Sequence, residues 1–234
     1  MTPSITQDDV NTALGNFLTA ILPADVKIIV GQVNRVASPK GDYVVMWPLR
    51  RPRLATNLDS YQDVKYLGFI TATTMIVTQV FTGEIEPGQL IFGVGVLPGT
   101  TVVDYGTGDG GAGSYSIQPN QTAAGPLFSS GSQTIEQDTD AVIQIDIHGP
   151  ASTDNAQVIS TMMRSAYAVD QMEPTGVTPL YADEPRQTPF TTAAAQYEDR
   201  WSIDVHLQVN PVVSVPQEFF DAVDLTLVDV EAIP

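Results

Sequence analysis

Gly106, Gly108 and Gly111 stand at the GxGxxG spacing with which dinucleotide-binding proteins cradle a pyrophosphate. That chemistry needs a strand before the glycines and a helix after them, so that the phosphates meet a helix N-terminus. Here Ala112 to Ile117 reads on as a strand, and the glycines are expected to form a plain turn. His148 and His206 each fall on the polar phase of an alternating run. A metal site would need a third ligand from Asp146, Asp204 or the acidic run Glu136, Asp138, Asp140, and solvated strand faces are the expectation instead. Asp138-Thr139-Asp140 lacks the glycine and closing glutamate of a calcium loop. No GxSxG elbow, HExxH pair or GxxxxGK[ST] phosphate loop is present, and the 27 acids show no spacing that singles out a catalytic carboxylate pair. Neither a catalytic residue, a metal site nor a cofactor is expected, and the chain reads as a non-enzyme. Asn120-Gln121-Thr122 matches a glycosylation acceptor, but the opening residues Met1 to Asp9 lack the basic and apolar regions of a secretory signal.

The residues that most invite a partner are Arg50, Arg51 and Arg53, in a stretch stiffened by Pro48 and Pro52. Arginine favours bidentate pairing at interfaces, so a partner's or neighbouring subunit's carboxylate is expected ahead of phosphate. The ten Lys plus Arg stand against 27 Asp plus Glu, a formal charge of −17, which disfavours binding to nucleic acid or anionic membrane. The absence of cysteine excludes disulfides, thiolate metal sites and a catalytic thiol. No 18-residue apolar run is present, and a soluble chain is expected.

The elements that carry these residues differ along the chain. Val10, Ala13, Leu14, Phe17, Leu18, Ile21 and Leu22 form one apolar helical stripe, opened by a Thr6/Asp9 capping box and ended by Pro23. Strands are expected over Val26 to Val30 and Tyr43 to Trp47, with Pro39 to Asp42 as a turn between them. Residues 67–135 hold no Lys or Arg and 13 of the 18 glycines. Their short β-branched runs, Thr71 to Phe81, Leu90 to Phe92, Thr100 to Val103 and Tyr115 to Ile117, predict a small sandwich or barrel. Beyond them Ile143, Ile145 and Ile147 alternate as a strand with one wet face. Ser152 or Thr153 can cap a helix bearing Ala156, Ile159, Met163, Ala166 and Tyr167. Trp201 to Val209 alternates clearly, and Val223, Leu225 and Leu227 suggest a last strand. The expected fold is α+β: a mixed or antiparallel sheet covered by two helices, built from residues 1–66 and 136–234, with 67–135 as an inserted small all-β domain.

Several segments resemble the bacteriophage neck and tail-terminator protein family. They are Ile21-Leu22-Pro23, Gly31 to Arg35, Asp42 to Met46 running into Pro48 to Asn57, Ile143 to Pro150, Leu180 to Asp183 and Gln196 to Trp201. The middle is similar to a glycine-rich β module of assorted phage structural proteins, in Gly83-Glu84-Ile85, Gly93 to Thr100 and Gly110 to Tyr115. The resemblance implies a virion protein, assembled in the host cytoplasm, that forms a ring, typically a hexamer. Such a ring terminates the tail tube and joins the tail to the head connector. The implied partners are further copies of itself, the tail tube and sheath proteins and the head connector or adaptor proteins. Genomic DNA would pass through without specific binding, which an acidic wall favours, and no membrane is involved. The alternative is a carbohydrate-binding or adhesive accessory virion protein that works through the glycine-rich module.

Overall fold

A computed structural model describes residues 2–31, 39–125, 127–188, 190–191 and 197–219. The expected strand at Val223, Leu225 and Leu227 lies outside these residues, as do Gln32 to Arg35 and Gln196 of the resembling segments.

Along the chain come α1 (Gln7–Ile21), β1 (Lys27–Val30), β2 (Tyr43–Arg50), β3 (Leu58–Gln62), β4 (Lys65–Thr82), β5 (Phe92–Gly93), β6 (Thr101–Tyr105) and β7 (Gly113–Ala123). There follow β8 (Leu127–Ser129), β9 (Ser132–Glu136), β10 (Thr139–His148), α2 (Ser152–Met162), α3 (Ala166–Met172) and β11 (Val177–Ala182). The short strands β12 (Arg186–Gln187), β13 (Phe190–Thr191) and β14 (Tyr197–Glu198) lead to β15 (Arg200–Val209) and β16 (Val212–Pro216).

The expected α+β sheet under two helices is therefore corrected. The chain is mostly β, 48% strand against 18% helix, with several sheets, a half-barrel and, among the described residues, three α-helices. Two causes stand out. The apolar spacing after Ser152 runs through a break: Arg164 and Ser165 leave the helix, and the Ser165 hydroxyl accepts from Ala168 N–H to start α3 afresh. Short strands such as β3, exposed at every residue, carry no alternation by which to recognise them.

The chain divides into two compact units. One comprises residues up to Leu58 together with Ile135–Val213. Its main sheet runs β1-β2-β10-β15-β11, with β12 also paired to β15; β1 lies parallel to β2, and the later pairs are antiparallel. Thr6 caps α1 as its sequence predicts, accepting from Asp9 N–H while the Asp9 carboxylate accepts from Thr6 N–H at 2.7 Å. The apolar stripe Val10, Leu14, Phe17 and Leu18 packs in one core with Ile143, Ile145, Ile147, Ile203, Val205 and Leu207. Each such side chain, fully buried, contributes about 1.5–3 kcal/mol.

The other unit comprises Asp59–Thr134 and the described residues from Ser214 onward. Its five-stranded sheet has the order β5-β8-β4-β7-β6 around a separate core of Tyr66, Ile70, Met75, Tyr115, Ile117 and Phe128. The long strand β4 breaks register between Ala72 and Thr74, and Ala72 takes φ +58° there. Gly68 then lies against the backbone carbonyl of Ile76, a closeness no Cβ would allow.

Candidate functional site

The main sheet of the first unit has two faces of opposite character. Ile143, Ile145 and Ile147 of β10 face the helices; Asp140, Gln144, Asp146 and His148 occupy the alternate positions. The sequence leads one to expect that second face to be wet, and it is not: Asp146 is 3%, His148 7% and His206 4% exposed. Antiparallel pairing places Asp146 opposite Ser202 and His148 opposite Arg200. Arg200 Nη2 donates to Asp146 Oδ2 at 2.6 Å, while Ser202 Oγ and Gln144 Nε2 donate to Asp146 Oδ1 at 2.6 and 2.9 Å. Further along the same two strands, His206 Nδ1 lies 2.6 Å from Asp140 Oδ2, and Arg186 of β12 donates to Asp204 of β15 at 3.2 Å. Tyrosines close the ladder: Tyr43 stacks on His148 with ring centres 4.5 Å apart, and Tyr181 on His206 at 4.1 Å.

Both histidines are thus buried, His206 against a carboxylate and an aromatic ring and His148 against an aromatic ring. Among the described residues no three of His, Cys, Asp or Glu gather as a metal site. Of the acidic run Glu136, Asp138 and Asp140, Asp140 pairs with His206. The GxGxxG glycines lie in the turn between β6 and β7 and run into a strand, as their setting predicts. The Tyr115 hydroxyl pins that turn, accepting from Gly110 N–H at 3.2 Å and donating to the Gly111 carbonyl at 2.5 Å. Asn120 is exposed in β7.

The three arginines have different neighbours within the chain. Arg51 reaches back to α1 and donates to Gln7 Oε1 at 3.1 Å, where burial lowers its pKa from the ordinary value. With the Gln137 amide turned so that its oxygen faces the guanidinium, Arg53 donates to it from Nε at 2.7 Å and from Nη2 at 3.0 Å. Arg50, at the end of β2, is exposed and has no ion pair among the described residues. Sequence reading could not separate these fates, because Gln7 and Gln137 lie far along the chain from the arginines they meet.

Most of the ladder's polar groups pair with one another, while Asp140 Oδ1, Arg200 Nε and Asp204 Oδ1 are buried without a hydrogen-bond partner among the described residues. Among the described residues no helix is long and apolar enough to cross a membrane. No curated protein matches the chain. A family model described as phage neck terminator protein matches residues 98–231, more than half of the sequence, leaving out the resembling segments before Pro98. The chain belongs to the phage neck terminator protein family, a structural and non-enzymatic kind of protein that points to the virion and to contacts with other tail and head proteins.

Proposed function

We propose that this neck protein works as a homo-oligomeric ring, a hexamer, that terminates the tail tube and joins the tail to the head connector. The family match carries this reading. Charge supports it: a wall of a protein with net −17 does not hold the phosphates of passing DNA. A closed ring needs a heterologous interface, one face of each subunit meeting a different face of the next. Arg50, Arg51 and Arg53 belong to that contact or to one with an acidic partner ring, and Arg50, exposed and unpaired among the described residues, supplies most of the attraction. Residues 67–135 serve as an inserted module on the outside of the ring.

Co-expression with the tail tube and connector proteins, followed by electron microscopy, tests the reading: closed rings are expected, and monomers under every such condition defeat it.

A further inference from the structure

Strand β1 is an open edge of the main sheet: β2 pairs with one side of it, and among the described residues nothing pairs with the other. Lys27 and Gly31 direct their N–H groups to β2, at 3.3 and 2.8 Å. Parallel pairing alternates, so Ile28 and Val30 aim their N–H and C=O groups away from the sheet, as a template for one more strand. A groove of about 650 Å³ runs beside this edge. The small residues Thr12, Gly15 and Thr19 of α1 form one wall, Ile28, Val30 and Met46 form the apolar side, and Asp8 stands at one end. An added strand could therefore bury alternate side chains there.

Charge and sequence pattern name the occupant. Residues 27–53 contain Lys27, Arg35, Lys40, Arg50, Arg51 and Arg53 against the single acid Asp42. Residues 220–234, beyond the last described residue, contain Asp221, Asp224, Asp229 and Glu231 and no base. Within them Val223, Leu225 and Leu227 alternate with Asp224 and Thr226, the pattern of a strand with one apolar face. The four residues from Phe219 to Val223 reach about 14 Å when extended, which sets how near the acceptor strand of a neighbouring molecule must lie. We infer that residues 221–230 of one copy add as a strand to β1 of a second copy, with Val223, Leu225 and Leu227 in the groove and the acids toward the basic stretch. The donor being a second copy rests on the ring reading; the edge and its groove do not.

The absence of cysteine makes the test direct. Val30→Cys protein is mixed with single variants Val223→Cys, Asp224→Cys, Leu225→Cys, Thr226→Cys or Leu227→Cys, and the mixtures are oxidised both as purified protein and after assembly with tail tube and connector proteins. Disulfides are identified by mass spectrometry of the joined peptides. Covalent heterodimers are expected at whichever of 223, 225 or 227 the register sets opposite Val30, and several-fold fewer at 224 and 226, which face the other way. Cross-linking without this preference overturns strand addition. A Val30→Cys/Leu225→Cys double variant that closes only within one chain overturns the exchange between copies. Rings seen by microscopy without these disulfides overturn the docking and leave the ring intact, whereas the disulfides in dimers that never close support the docking against the ring.

Discussion

Asp146 Oδ2 accepts from Arg200 Nη2 at 2.6 Å between neighbouring strands that lie 54 residues apart in the chain. With Ser202 and Gln144 on its other oxygen, the carboxylate is fully engaged although only 3% exposed. A buried pair of this kind is costly to break and cheap to replace whole. Arg200→Met alone should lower the stability of the first unit by about 3–5 kcal/mol, because the Asp146 charge stays buried without its partner. Adding Asp146→Val should recover much of that loss. Urea denaturation of the two single variants and the pair reads the coupling; equal losses that simply add would show the contact to be idle.

The second unit has its own buried polar pair, the hydroxyls of Tyr66 and Ser130 at 2.9 Å, both residues fully buried. Burial pushes the Tyr66 phenol well above its ordinary 10.0. A pKa raised in the folded state favours the protonated form there, so this contribution is intact below pH 10 and is lost as pH rises further. Tyr66→Phe should cost about 1–2 kcal/mol at neutral pH by leaving the Ser130 hydroxyl unsatisfied, and should flatten the loss of stability from about pH 9 to about pH 11. Denaturation midpoints across that range check both effects. An unchanged alkaline slope would assign the loss to other groups, of which Tyr115, also raised by burial, is the first candidate.

Asp42 Oδ1 accepts from Ala151 N–H at 2.9 Å at the start of α2. Sequence reading places this cap on Ser152 or Thr153, yet no side chain of α2 itself caps the helix. Gly149, at φ +104°, packs directly on Asp42, where a Cβ would collide. Asp42→Ala should cost about 1 kcal/mol, with helical circular dichroism at the same urea concentration as the measure. Ser152→Ala should cost less, and a larger loss there would return the cap to the helix's own residues.

These three contacts show how far the sequence was legible. Helix α1 and strands β2, β10 and β15 could be read because their apolar spacing repeats over at least two turns or four strand positions. The ladder around Asp146 could not, because its polar residues look solvated until register sets Asp146 opposite Ser202. The cap by Asp42 reaches across 109 residues, and no local pattern marks it. For the candidate site, the arginine stretch was visible as composition. The use of Arg51 and Arg53 inside the fold depends on distant glutamines. The open edge of β1 needed the strand order itself, since the sequence of Lys27–Val30 reads the same at an edge and in the middle of a sheet.

The last prediction separates the three arginines. Arg53→Ala should lower stability modestly, by about 0.5–1.5 kcal/mol, because its guanidinium donates twice to Gln137. Arg51→Ala should act similarly through Gln7. Arg50 is exposed and pairs with no acid among the described residues, so Arg50→Glu should leave the melting temperature nearly unchanged. Its effect belongs to assembly: with tail tube and connector proteins present, closed rings should become fewer, and raising the salt concentration should narrow the gap between wild type and variant because the lost attraction is electrostatic. Ring counts by electron microscopy at low and high salt, beside melting curves of the isolated proteins, give both readouts. If Arg50→Glu assembles normally while Arg51→Ala or Arg53→Ala fails with melting temperature intact, the contact lies with those residues instead. A change confined to DNA passage or retention would place the stretch facing DNA and remove it from the subunit interface.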